Sequence, residues 1–118
     1  MIPGLRLYIE DGKGGGVFGD GRAELLDAID RNGSISGAAD ELGRGYRKAW
    51  EDIRRAEAAT GRKLVRKMRG GARGGRTELT DFGTRLLGAW KDYREAMSEA
   101  ARKNYASRLE DLLDKEKR

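Results

Sequence analysis

The chain has 118 residues, room for one domain, and contains neither cysteine nor histidine, which excludes a disulfide framework, a cysteine- or histidine-ligated zinc site and imidazole acid–base chemistry. Hydrophobic residues make up 37% and charged residues 38%, with a mean hydropathy of −0.79, so no run reaches membrane-spanning length and the thin core is expected to be completed by a partner subunit. The net charge is a modest +5, and with no membrane-spanning run and no secretory signal before the first strand pattern, a cytoplasmic, nucleoid-associated location is expected.

Leu5, Leu7 and Ile9 alternate with Arg6, Tyr8 and Glu10, the period of a strand with one buried face, and Val17 and Phe18 are its expected return partner. Between them DGKGGG, residues 11–16, resembles a phosphate cradle. Gly14 rather than Ser or Thr follows Lys13, however, and no helix pattern starts there, so a hairpin turn is expected. Asp20 is the expected cap of a helix through Ala23, Leu26 and Ile29, ended by Asn32 and Gly33. Its Glu24, Asp27 and Asp30 have the spacing of a solvated face, not of a catalytic or metal-binding cluster.

A second helix begins near Ile35, with Ser34 and Ser36 both able to cap it, and carries Ala38, Ala39 and Leu42 on one face. Gly43 then allows a sharp turn into a third helix, Tyr46 to about Ala59, with Ala49, Ile53 and Ala56 at core-facing spacing. Tyr46, Arg47, Trp50, Glu51 and Arg54 fall on or beside its exposed side, where base edges and phosphates would be met. After Thr60 and Gly61, Lys63 to Lys67 and Thr77 to Leu79 read as two short strands. Met68 to Gly75 between them read as a positive wing whose glycines permit close approach and whose arginines suit a narrow minor groove.

Thr80 is the expected cap of a final helix whose stripe runs through Phe82, Leu86, Leu87, Trp90, Tyr93, Met97, Ala101, Tyr105, Leu109, Leu112 and Leu113. That stripe is longer than so small a domain can cover, and a second copy of the chain is the expected cover. The dimer contacts are expected from Leu25, Ile29, Leu86, Trp90, Tyr93, Met97 and Tyr105. The charge follows the same division. Residues 1–43 hold four Lys/Arg against eight Asp/Glu, residues 44–76 hold twelve against three, and residues 77–118 hold nine of each. The basic excess thus coincides with the segment nominated by the helix pattern, the footprint of a polyanion site.

The order GSISGAADELG, YRKAW, KLVRK, GGARGG and LTDFG resembles the amino-terminal DNA-binding domain of the molybdate-responsive transcription regulators, a winged-helix group related to the LysR-type regulators. The resemblance extends from Leu5 to about Tyr93. It implies a dimer whose terminal helices pack together, with Tyr46, Arg47 and Lys48 opening the recognition helix and Gly70 to Arg76 in the wing. The family places an apolar residue and then Ser where this chain has Arg44 and Gly45, so a different turn and a different recognition-helix cap are expected. Its full-length members carry a carboxy-terminal oxyanion-binding domain, which the sequence up to Arg118 does not contain. Direct molybdate sensing is therefore not expected, and a separate effector or sensor protein is a possible partner.

The expected fold is mainly α with a small β component: a winged helix-turn-helix with an N-terminal β-hairpin (1–19), the helix-turn-helix and wing (20–80) and a long C-terminal dimerisation helix (81–118) in one domain. The expected function is a homodimeric, sequence-specific regulator binding double-stranded DNA, with no cofactor, metal or catalytic residues. The DNA contacts are expected from Ser36, Arg44, Tyr46, Arg47, Lys48, Trp50, Arg54, Arg69, Arg73 and Arg76. The alternatives are a chromosome-architectural protein with little sequence preference and a protein-interaction adaptor.

Overall fold

The computed structural model describes residues 1–69 and 75–115. Two short strands, β1 (Tyr8–Glu10) and β2 (Gly16–Gly19), form an antiparallel hairpin. Three helices follow, α1 (Asp20–Asn32), α2 (Ile35–Leu42) and α3 (Tyr46–Thr60). A second antiparallel hairpin, β3 (Val65–Met68) and β4 (Arg76–Leu79), leads into the long α4 (Asp81–Arg108), which ends in a π-helical turn at Asp111–Lys115. This is a winged helix-turn-helix, mainly α with two small hairpins.

The hairpin begins later than the alternation of Leu5, Leu7 and Ile9 suggests. The Leu7 carbonyl accepts from the Asp20 amide at 3.3 Å and the Leu5 carbonyl accepts from the Arg94 guanidinium at 2.9 Å, so residues before Tyr8 leave the ladder and lie against α4. At the other end of β1 the Asp11 carboxylate accepts from the Lys13 and Gly15 amides at 2.7 and 3.1 Å. Those amides hold the Asp11 carboxyl below its ordinary range. Gly12 and Gly14 supply the positive φ that this turn needs, so the glycine run closes a hairpin.

Asp20 is not the cap of α1. Gly19 occupies that position, and Asp20, one residue inside, is turned to α4, where it accepts from the Trp90 indole at 3.2 Å and pairs with Arg94 at 3.3 Å. Ser34, not Ser36, caps α2, accepting from the Gly37 amide at 2.9 Å. The first three helices end on Gly33, Gly43 and Gly61 in the left-handed conformation, which leaves each helix free to turn at once. Arg31 braces α1 to α2 through Glu41 at 2.6 Å.

The core lies where α1, α2 and α3 meet. Leu25, Leu26, Ile29, Ala38, Ala49, Ile53 and Ala56 are all buried, joined by Phe18 from the first hairpin and Leu64, Val65 and Leu79 from the second. Alanines at the α2–α3 crossing let the two backbones approach closely, which fixes the angle at which α3 projects. The second hairpin is tied on by the Thr77 amide donating to the Gly33 carbonyl at 2.8 Å. Helix α4 starts on Thr80, whose hydroxyl accepts from the Gly83 amide at 3.0 Å and donates to the Lys63 carbonyl at 2.7 Å. Leu87 and Trp90 cover the core, with Trp90 edge-on to Phe18 at 5.5 Å between ring centroids.

Three residues expected at the dimer contact are thereby reassigned: Trp90, packed on Phe18, belongs to the chain's own core, as do Leu25 and Ile29. Leu25 and Ile29 are 0% exposed within the single chain, because α1 turns them into its own core, so neither is available to a second copy.

Candidate nucleic-acid interface

Burying Ala49, Ile53 and Ala56 leaves the opposite face of α3 to solvent, where Tyr46, Arg47, Lys48, Glu51, Arg54 and Arg55 are exposed. Three acidic side chains interrupt the basic middle of the chain, and each already has a cationic partner. Asp52 meets Arg22 at 3.7 Å, Glu51 meets Arg55 at 3.8 Å, and Glu57 meets Lys63 at 3.6 Å while also accepting from the Leu64 amide at 2.8 Å. Arg47, Lys48 and Arg54 have no carboxylate partner among the described residues. The projecting face is therefore cationic in the part nearest the start of α3.

The aromatic pair on this helix has a fixed geometry. Four residues apart, Tyr46 and Trp50 lie one turn above the other, and the Trp50 indole N–H donates to the Tyr46 hydroxyl at 2.6 Å. Trp50 is half-buried against the core while Tyr46 is 52% exposed, so the buried ring steadies the exposed one. Cations flank the indole: the Arg54 guanidinium is 5.7 Å and the Lys67 ammonium 6.0 Å from its ring centre. Trp50 is thus a half-buried support for Tyr46 rather than part of the outer surface of α3.

The second hairpin stands beside α3. Arg66 pairs across the strands with Glu78 at 3.0 Å, whereas Lys67, Arg69 and Arg76 carry no acidic partner among the described residues. Arg76 lies against Gly33, at the junction of α1 and α2. Arg73 and Gly70 to Gly74 of the wing lie outside the described residues. Between the start of α2, the start of α3 and the second hairpin is a cleft of about 290 Å³, lined by Ser34, Ser36, Tyr46, Trp50, Lys67 and Arg76 among others. Ser36 and Arg76, far apart in sequence, come together here with Tyr46. Lys67 was not among the sequence-derived candidates, although its position in the basic strand KLVRK was the available signal.

Arg44 is the candidate most altered by the fold. Its guanidinium turns away from α3 to donate to the Gly21 carbonyl at 2.8 Å and to Glu24 at 3.4 Å. In this chain Arg44 fastens the helix-helix turn to α1. Gly45 precedes α3 with no side-chain cap, which follows from the Arg-Gly pair at a turn where the resemblance implied an apolar residue and Ser.

Among the described residues no group of three or more carboxylates is placed to hold a metal ion, and no helix is long and apolar enough to cross a membrane. Along α4 Trp90 and Tyr105 are buried, Leu86 and Met97 half-buried, and Tyr93 exposed. The Tyr105 hydroxyl donates to Asp114 at 2.6 Å, closing the π-helical turn onto α4.

Sequence comparison agrees with this architecture. The sequence model of the bacterial regulatory helix-turn-helix proteins of the lysR family matches residues 22–84, from α1 into α4. The chain is 36% identical over 101 residues to the molybdenum transport protein ModE of Azotobacter vinelandii, covering 86% of this chain and 34% of that protein. It is 36% identical over 84 residues to the molybdenum-pterin-binding protein MopA of Rhodobacter capsulatus, covering 71% and 31% respectively. Over 66 residues it is 38% identical to the DNA-binding transcriptional dual regulator ModE of Escherichia coli K12, covering 56% and 25%. The chain spans about a third or less of the length of these relatives.

Proposed function

The chain belongs to the lysR family of bacterial regulatory helix-turn-helix proteins, and from that premise we propose that it is a transcriptional regulator that binds double-stranded DNA sequence-specifically as a homodimer. The observation that supports this most directly is the projecting face of α3, where Arg47, Lys48 and Arg54 stand without acidic partners among the described residues, beside a basic hairpin. A helix so placed enters a major groove, with Arg47 and its neighbours near base edges and Arg69, Arg73 and Arg76 of the wing on phosphates or in the adjacent minor groove. The E. coli relative is named as a DNA-binding transcriptional dual regulator, and its likeness to this chain supports the same role here. The names of the Azotobacter vinelandii and Rhodobacter capsulatus relatives tie those two proteins to molybdenum.

The experiment is selection of bound duplexes from a random-sequence library, followed by competition of the best duplex with unrelated DNA. A sequence-specific regulator retains a preference of roughly a thousandfold or more at physiological salt. An architectural protein binds both with similar affinity and an equally steep salt dependence, and an adaptor binds neither.

A further inference from the structure

The Trp50–Tyr46 hydrogen bond has a polarity that bears on what the cleft beside it recognises. An indole N–H can only donate, so the Tyr46 hydroxyl, 2.6 Å away, must be the acceptor. With its oxygen already accepting from the indole, the phenol keeps its own proton to donate into the cleft. Tyr46 is 52% exposed and borders, with the Ser36 hydroxyl, the Lys67 ammonium and the Arg76 guanidinium, a cleft that Ser34 and Thr77 also line. Three separate segments, the start of α2, the start of α3 and the second hairpin, thus converge donors and cations on one small concavity. None of these four side chains has an acidic partner among the described residues.

Resting on the DNA-binding reading above, we infer that this cleft seats one backbone phosphate of the duplex, with Tyr46, oriented by the Trp50 indole to donate, hydrogen-bonded to it between Lys67 and Arg76. A phosphate offers acceptors only, which matches a site whose charged groups, Lys67 and Arg76, are both cationic donors, whereas base edges offer both kinds of group. Trp50 is then a positioning residue. It does not touch DNA, but it sets the direction of the Tyr46 hydroxyl, and Lys67 joins the interface as a phosphate ligand.

The test uses the intact chain and the duplex it selects, prepared natively and as a series in which one phosphate at a time is replaced by a neutral methylphosphonate. Tyr46→Phe and Trp50→Phe each keep a ring and remove one side of the hydrogen bond. Each is expected to weaken binding to the native duplex about tenfold. At one methylphosphonate position the loss from Y46F should vanish, and W50F should cost nothing further in the Y46F background. Neither substitution should alter base preference or the salt slope, since neither removes a charge, while Lys67→Ala should make the log-log slope shallower by about one.

A Y46F loss that persists at every methylphosphonate position, or that appears as a changed base preference, makes Tyr46 a base reader and overturns the phosphate seat. Independent, additive losses in W50F and Y46F overturn the positioning role of Trp50. Both outcomes leave specific DNA binding by the intact chain standing, whereas failure of the intact chain to select any duplex removes the DNA-binding reading itself.

Discussion

Arg47 and Arg44 carry the same charge three residues apart, yet the fold gives them different work. Arg44 is in the turn, within reach of the α1 residues Gly21 and Glu24, and is tied to both. Arg47 is inside the first turn of α3 on the exposed face, with no carboxylate to hold it among the described residues. Arg47→Ala is accordingly expected to cost about 1 to 3 kcal/mol on the selected duplex and to relax discrimination at one base position. Equal losses on every sequence would make it a phosphate ligand instead, and the far-UV circular dichroism spectrum should be unchanged. Sequence spacing alone placed both arginines at the interface because it reports position along α3, not which carboxylate a neighbouring helix brings near. The same limit applies to Lys67, whose approach to the Trp50 ring depends on the second hairpin folding back onto α3. The core positions Ala49, Ile53 and Ala56 were legible because helical period alone determines their side.

At the scale of elements, α4 contains two glycines with opposite meanings. At Gly83 an added Cβ would run into the Leu64 carbonyl, because the Thr80 cap draws the start of α4 onto the second hairpin. At Gly88, which is exposed, a Cβ would meet nothing within 4 Å. Gly88→Ala should therefore stabilise the protein by about 0.5 to 1 kcal/mol through helix propensity. Gly83→Ala should destabilise it by about 1 to 3 kcal/mol despite the same propensity gain, since the obstacle is backbone and cannot rotate away. Urea unfolding midpoints distinguish the two, and stabilisation by both would show that α4 is not seated on Leu64. The sequence signals for helix starts divide for a related reason. Thr80 and Ser34 cap as their hydroxyls suggest, but Asp20 was misplaced because Trp90 and Arg94, some seventy residues away, compete for its carboxylate.

The stability of the whole molecule should depend on pH at both ends of the scale. Lys91 and Arg31 hold the Asp27 carboxyl below its ordinary range, and Arg31 with Asn32 does the same for Glu41. Their contribution is complete above the ordinary carboxylate range and is lost as the pH falls through the lowered values. At the alkaline end the hydrogen bond to Asp114 pushes the Tyr105 hydroxyl from 10.0 up to about 12, so its contribution is intact below 10 and disappears as the pH rises through 12. Glu41→Gln should flatten the acid limb of the urea-midpoint profile and Tyr105→Phe the alkaline limb. An unaltered limb in either variant excludes the corresponding contact from the folded state in solution.

The outline of the molecule carries the argument for a second copy. The chain measures 65 × 31 × 23 Å with a radius of gyration of 18.0 Å, where a compact domain of this length has one of roughly 13 Å. The excess comes from α4, whose 28 residues extend about 42 Å and outrun the core they start on. Along that extension Tyr93 is 42% and Leu109 47% exposed, with Met97 half-buried between them in sequence. Truncating α4 would not isolate this face, because Trp90 belongs to the chain's own core, packed on Phe18. Met97→Glu is the sharper test, since it places a charge on the outer stripe without removing a core residue. Sedimentation should find the intact chain dimeric at micromolar concentration and the variant monomeric, with unchanged helical content. Affinity for a palindromic duplex should fall by about a hundredfold or more in the variant while binding to a single half-site is retained, because two half-sites about 34 Å apart are engaged together only by a dimer. An intact chain that sediments as a monomer and still binds the palindrome tightly would leave the α4 stripe without a second copy and remove the homodimer from the proposed function.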